Sequence, residues 1–377
     1  MAQNNSYRSQ VNFVKTLFCC KVYVMKLILI NYSMNSNNLV FSHQREIALA
    51  LAKHFESIQV FTSETSTESL PSNVSVTKIP WKSQSPIRNT LNIFMTLYPE
   101  IIKNRKTAVF THMTDIHAAL ISPLTFLLRK RHVLWYAHAV NSIYVMWSSF
   151  FVSIILSSTK GSCNLKINRR KIRYINQGIS QEKFPFMARP NYLPRKILYY
   201  GRLDPSKNIN LFIDLMENLT AAQKGYTFGV YGKPTNPISE INLDKVNLRI
   251  QEKNLQSSFA FYPPIKRETI CLVAQDYEIF LNLFSGSLDK TLIESTFLGL
   301  PVITWNKEYC LSFGTWSGKE AINNLDFILN EFHALDSMSP IVLAREIDRR
   351  LRLAISLHSF EAWIQHLVSA LEGRQIK

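Results

Sequence analysis

Acidic residues are scarce in this chain: 27 Asp and Glu stand against 43 Lys and Arg, a formal charge of +16 over 377 residues. The imbalance favours anionic partners, whether phosphates, nucleic acid or an anionic membrane surface, and does not choose among them. Cysteine is scarce too. Cys19, Cys20, Cys163, Cys271 and Cys310 lack metal-ligand spacing, and the adjacent pair cannot form an unstrained bridge, which argues against a disulfide scaffold and a zinc site and fits a reducing cytoplasm. A long apolar run is missing: the stretch from Val11 to Ile30 is broken by Lys15, Lys21 and Lys26 and has no small-residue cleavage site after it. We expect Met25 to open the first strand, with residues 1–24 a tail or upstream extension; a tail dipping into a membrane surface is the alternative. No solenoid-length repeat or low-complexity tract is visible, and neither is a helix-turn-helix, zinc finger or RNP-type aromatic set. The nucleic-acid reading therefore rests on charge alone.

What is present is alternation. "KLILIN" is a buried parallel strand, "SHQREIALALAKHF" a helix with Ser42 expected as its N-cap, and "SIQVFTS", "TAVFTHM", "HVLWYAH" and "FVSIILSST" are further strands with helical segments between them. After a stretch with three prolines the pattern restarts, through "KILYYG", "YTFGVYG", "SFAFYP", "EIFLNLF" and "PVITWN", and ends in a helical stretch from Ala344 to Leu371. The expected fold class is α/β, two doubly wound Rossmann-like domains facing across a cleft. The expected divisions are an amino-terminal domain at 25–189, with the linker near Arg189 to Pro194, a carboxy-terminal domain at 190–350, and a segment at 351–377 packing back toward the amino-terminal domain.

Two stretches carry candidate chemistry. In "YYGRLDPSKN" a strand ends at Gly201, where a missing Cβ lets the backbone approach a ligand, and Arg202 and Lys207 can reach one anion from the same loop. A diphosphate fits; so does a pair of surface charges on a turn shaped by Asp204 and Pro205. In "FLNLFSGSLDKTLIESTFLGLPVITWN" a strand runs into Ser285, Gly286 and Ser287, and a helix is expected from about Leu288 with Asp289, Lys290, Thr291 and Glu294 in its first turns. A carboxylate at Glu294, inside an apolar face, needs a partner: a ribose diol or Lys290, its i−4 neighbour.

Together these stretches resemble the donor-binding half of the retaining GT-B glycosyltransferases that use nucleotide sugars, glycosyl transferases group 1 (family 4). The resemblance is strong over residues 197–306 and diffuse before them, where "WYAH" and "INQGISQEKF" are similar to the family's histidine strand and interdomain stretch. It implies that Arg202 and Lys207 bind the donor diphosphate and stabilise the leaving group, that Glu294 holds the nucleotide ribose, and that His138 sits beneath the transferred sugar. It implies donor contacts at Gly201, Gly286, Ser287, Leu288, Lys290 and Thr291. It also implies hexosyl transfer with retention, the departing phosphate oxygen taking the acceptor's proton, no cofactor beyond the nucleotide-sugar co-substrate, and no metal, the chain having no Asp-x-Asp triplet. One departure matters: the first glutamate of the family's pattern falls on Gly286, and we expect Asp289 to supply its sugar contact. The first loop, "NYSMNSNNLVFSH", also lacks the glycine pair many relatives carry.

The implied setting is surface polysaccharide or lipopolysaccharide assembly, on a glycan or lipid-linked acceptor, in the cytoplasm with peripheral attachment to the plasma membrane. Basic clusters at 129–131 and 166–173 and a helical apolar face in 82–106 fit an anionic membrane surface; an ordinary packed helix with a solvated charged face fits them as well. The competing functional readings are a degenerate GT-B protein that binds nucleotide sugar without transfer, a sugar-nucleotide epimerase and a nucleic-acid-binding protein.

Overall fold

The computed structural model describes residues 25–38, 41–79, 85–103, 106–188, 195–222 and 225–376. Residues 1–24, with Cys19 and Cys20, and the linker positions from Arg189 to Pro194 lie outside them. Two parallel sheets form the frame. The amino-terminal sheet has seven strands in the order β3-β2-β1-β4-β5-β6-β7: β1 (Lys26–Ser33), β2 (Ser57–Glu64), β3 (Val74–Lys78), β4 (Thr107–His112), β5 (His132–Trp135), β6 (Ile154–Ser157) and β7 (Ile172–Tyr174). The sequence pattern had not singled out β3 and β7: one has a single fully buried residue and the other carries Arg173, so neither shows a continuous apolar run.

The carboxy-terminal sheet has the order β10-β9-β8-β11-β12, with β8 (Lys196–Tyr200), β9 (Thr227–Tyr231), β10 (Phe259–Tyr262), β11 (Ile279–Asn282) and β12 (Val302–Thr304). In each sheet the chain winds outward in one direction, then returns to the centre and winds in the other. The reversal opens a crevice at the carboxyl ends of β1 and β4 in one domain and of β8 and β11 in the other.

Helices cover both faces. In the first domain α1 (Ser42–Leu51) packs one face, while α2 (Pro86–Lys103), α3 (Asp115–Leu127) and α4 (Ile143–Phe151) lie on the other. Ser42 is the first residue of α1 rather than its cap; Phe41 holds the cap position, and no side chain caps the helix. In the second domain α5 (Ile209–Ala221), α6 (Pro237–Glu252) and α10 (Leu325–Asp336) oppose α7 (Ile270–Ala274), α8 (Lys290–Phe297) and α11 (Pro340–His358), with α9 (Lys307–Phe313) after β12. Helix α8 starts at Lys290, two residues later than expected, because Asp289 takes the N-cap and accepts from the Thr291 amide.

The helical stretch expected from Ala344 to Leu371 is two helices. Ser359, in extended backbone, ends α11 and caps α12 (Phe360–Glu372) through its hydroxyl. Helix α11 packs against α8, whereas α12 crosses to the first domain and buries Trp363, Leu367 and Leu371 against β4, β5 and α1. The Trp135 and Trp363 rings meet edge to face at 5.0 Å, and Arg131 donates to the Ala370 carbonyl. The crossing is stitched to the other interdomain passage: Ile179 bridges Ser359 in parallel, and the Gln177 amide donates to His358 Nδ1 at 3.2 Å.

Candidate active site

A cleft of about 260 Å³ opens at the carboxyl ends of β8, β9, β10 and β11. Of the expected residues it is lined by Gly201, Arg202, Lys207, Asp289, Lys290, Thr291 and Glu294. His43, from α1, closes it on the side of the first domain.

Each cation is aimed by a specific partner. Gly201 leaves β8 at φ +151°, a region L side chains rarely adopt, and a Cβ there would stand 3.1 Å from the Tyr199 hydroxyl. Tyr199 donates to the Arg202 carbonyl at 2.7 Å, fixing the turn. The half-exposed Arg202 guanidinium is held at 2.9 Å by Asp204, whose other oxygen accepts from Thr235 and Ser239. Lys207 ends a short 3₁₀ turn and is buried; Asn208 follows in the left-handed region, and its side chain donates to the Leu283 carbonyl after β11. The two strand ends of the crevice are thus tied together.

Lys207 Nζ donates to Asp289 Oδ2 at 2.5 Å and sits 3.8 Å from the centre of the Phe284 ring. Asn282 donates to the same carboxylate, and Lys207 is the largest of the influences that hold its pKa below the usual value against the opposing effect of burial. The protein partner of Glu294 is Arg267 rather than Lys290. Glu294 Oε1 accepts from Arg267 at 2.6 Å, the carboxylate being buried and the guanidinium partly buried. Burial raises the Glu294 pKa, and the charges of Arg267 and Lys290 oppose that rise. At Lys290 burial and then the Arg267 charge act the same way, bringing the amine down to about 7.

Gly286, Ser287 and Leu288 do not line the cleft. The Gly286 and Ser287 carbonyls accept from Asn306 Nδ2, and the Leu288 carbonyl accepts from Gln177, while the Leu288 side chain is in the core. A Cβ at Gly286 would lie 2.1 Å from the Phe284 ring. His138 is exposed on the loop after β5 and is not among the cleft-lining residues; loss of water around its ring, opposed by Asp115 and aided by Arg202, lowers its pKa.

Residue typing had passed over His112, at the end of β4. It is buried, and its Nδ1 faces Gln44 Nε2 at 3.0 Å. Gln44 Oε1 already accepts from the amides of Tyr32 and Ser33, so its NH₂ must donate and His112 is a neutral imidazole with its proton on Nε2. Burial, then the Lys290 charge across the interface, pushes its pKa down to about 3. Arg267 was also missed: it comes from the irregular "PPIKRET", and pairing across 27 positions leaves no local signature.

Residues 180–312 match the family model for glycosyl transferases group 1. Among solved structures, the chain is similar to HepE from Anabaena in complex with UDP, at 11% identity and a TM-score of 0.69, covering 93% of this chain and 100% of that one. It is similar to sucrose-phosphate synthase from Thermosynechococcus elongatus at 13% identity and a TM-score of 0.73, over 93% of this chain and 98% of that one. A glycosyltransferase from Rickettsia africae matches at 13% identity and a TM-score of 0.70, over 93% and 99% of the two chains. No curated protein sequence matches the chain.

Proposed function

We propose, of a chain that has the GT-B fold and carries a glycosyl transferases group 1 domain, that it moves a hexosyl group from a nucleoside-diphosphate donor to a glycan or lipid-linked acceptor, with retention and without a metal. The observation that carries this reading is the convergence of Arg202, Lys207, Lys290 and Arg267 on one cleft at the switch point of the carboxy-terminal sheet. Breaking the bond from sugar to phosphate leaves extra negative charge on the departing diphosphate. Preorganised cations in a partly dry cleft can meet it without reorganising.

The chain's own residues divide the work as follows. Arg202 and Lys207 hold the diphosphate, Lys290 adds a third charge, and Glu294, steadied by Arg267, holds the ribose. Asp289 holds Lys207; when the diphosphate takes that ammonium, the released carboxylate meets a sugar hydroxyl in place of the glutamate absent at Gly286. His138 bounds the sugar from the first domain, and the departing phosphate oxygen takes the acceptor's proton. The setting we infer is surface polysaccharide or lipopolysaccharide assembly at the cytoplasmic face of an anionic membrane. One observation favours a second reading, nucleotide-sugar binding without transfer: the space beside Gly286 is filled by Phe284, so no other carboxylate can enter there unless that ring moves.

The test is a thermal-shift panel with UDP, GDP, ADP, CMP and dTDP, followed by a radiolabelled-donor transfer assay. A ligand at about 100 times its dissociation constant should add about 2.7 kcal/mol. One nucleotide should stabilise the wild type and not Lys207→Ala; no response to any nucleotide overturns the reading, and binding without turnover selects the second one.

A further inference from the structure

Helix α4 is packed inside out. It turns Val145, Ser148 and Ser149 inward and exposes Ile143, Tyr144, Met146, Trp147 and Phe150, with Trp147 at 51% and Phe150 at 53% exposure. A helix on a sheet ordinarily buries its apolar stripe. Here the inward serines satisfy themselves, Ser148 donating to the Tyr144 carbonyl and Ser149 to the Met146 carbonyl, both at 2.7 Å. The outward aromatics continue onto the end of α3, where Phe126 meets Phe151 edge to face at 5.9 Å and Leu127 is 76% exposed.

Charge lies against this surface. Between Asp115 and Glu182 the sequence has no acidic residue and nine cations, of which Arg129, Lys160, Lys166, Arg169, Arg170 and Arg173 are exposed, while Lys130 is buried and Arg131 turns to α12. Lys171 donates to the Ser149 and Phe150 carbonyls, both at 2.9 Å, and Asn168 to the Ser149 hydroxyl, so the basic loop at 166–173 is fastened to the carboxyl end of α4. Lys166 and Arg170 are exposed beside Ile167, itself exposed. The acidic groups that approach are Asp115, which accepts from Ser142 at the amino end of α4, and Glu308, beside Gly161.

We infer that the α3–α4 face with the 166–173 loop is a docking surface for an anionic lipid bilayer. Trp, Tyr and Phe side chains settle at the headgroup level, and exposed Lys and Arg at their margin are drawn to lipid phosphates. A protein partner would have to cover aromatics and cations together; the absence of acidic residues over 66 consecutive positions matches a continuous anionic plane. No described helix is long and apolar enough to span a membrane, so attachment at this face is lateral. The amino end of α4 follows the loop carrying His138, the residue assigned above to the sugar's first-domain side. The inference deepens the lipid-linked acceptor reading above and rests on it for its purpose, not for its geometry.

The full chain is floated with phosphatidylcholine vesicles, with and without phosphatidylglycerol, and the nucleotide thermal shift is run on the same samples. The wild type should float with the anionic vesicles and lose that binding as salt is raised. Trp147→Ser/Phe150→Ser should weaken vesicle binding at least tenfold, and Lys166→Ala/Arg170→Ala about thirtyfold, from roughly fivefold per cation; all four side chains are exposed, so both variants keep the wild-type melting temperature. No flotation of the wild type, or unchanged flotation of both variants, overturns the docking surface. A concentration-dependent dimer that Trp147→Ser/Phe150→Ser dissolves, without vesicle binding, overturns it in favour of a second copy. A failed donor reading shows separately, as an absent nucleotide shift in protein that still floats.

Discussion

Lys207 and Asp289 face each other across the strand reversal of the carboxy-terminal sheet, Nζ to Oδ2 at 2.5 Å, with the Phe284 ring 3.8 Å from the ammonium. The carboxylate also caps α8, and so holds both a cation and a helix-start amide that a phosphate would seek. An internal anion thus stands where the donor's anion should go.

Asp289→Asn keeps the cap, since Asn and Asp cap equally well, and removes the competing charge. Nucleoside-diphosphate affinity should rise roughly tenfold, the scale of one charge-assisted hydrogen bond, while transfer falls because the sugar contact is lost. Titration calorimetry beside turnover reads the split; weaker binding would count against the competition. The folded pKa of Asp289 lies below its ordinary 3.8, so its stabilisation is complete above that value and is lost as pH falls through the folded pKa. The Asn variant should lack this acid-side loss.

Arg202→Ala and Lys207→Ala should each lower turnover on the order of 100- to 1,000-fold, as for other preorganised charge-stabilising donors. Near wild-type transfer by either variant removes its assigned role. Lys207→Ala also strands a buried carboxylate, so its melting temperature should fall, whereas Arg202, half exposed, can be removed with little effect on stability.

Burial and the Arg267 charge bring the Lys290 amine down to about 7, so the diphosphate contact proposed for Lys290 requires its protonated form. Donor affinity should therefore fall between pH 7 and 9, approaching tenfold per unit, as each bound nucleotide takes up a proton. Calorimetry in buffers of differing ionisation enthalpy counts that proton. Lys290→Met should give weaker, pH-independent binding; an equally steep slope in the variant would assign the titration elsewhere.

Glu294→Ala should weaken nucleotide binding by roughly 10-fold or more, from the loss of about 1.5 to 3 kcal/mol of hydrogen bonding, and would leave the partly buried Arg267 without its carboxylate. Arg267→Met/Glu294→Leu removes both charges, and should regain stability that either single change loses without regaining nucleotide affinity. Full affinity in the double variant would show the pair to be structural only.

Trp363→Ala should cost about 3 to 5 kcal/mol, as for other buried aromatics, although position 363 is 228 residues from Trp135, against which it packs in the first domain. Chemical denaturation measures it.

The strands of the second domain were legible because each is a short apolar run closed by glycine, proline or asparagine, and the Arg202 and Lys207 loop because chemistry and turn residues coincide in ten positions. The start of α8 was misjudged by two residues although Asp before Lys-Thr is itself a cap signal. Arg267, His112 and the outward face of α4 were not legible. Their partners are set by topology, and "IYVMWSSFF" reads as a buried segment until its serines, not its aromatics, are seen to face inward.

Because α12 supplies Trp363, Ile364, Leu367 and Leu371 to the first domain's core, that domain is completed by residues made after the whole second domain. On the ribosome its seven strands would emerge and wait, one apolar face only partly covered, by α1, while the whole second domain was synthesised. Vectorial folding of two independent halves is closed to this chain; the first domain is finished only when the second already exists.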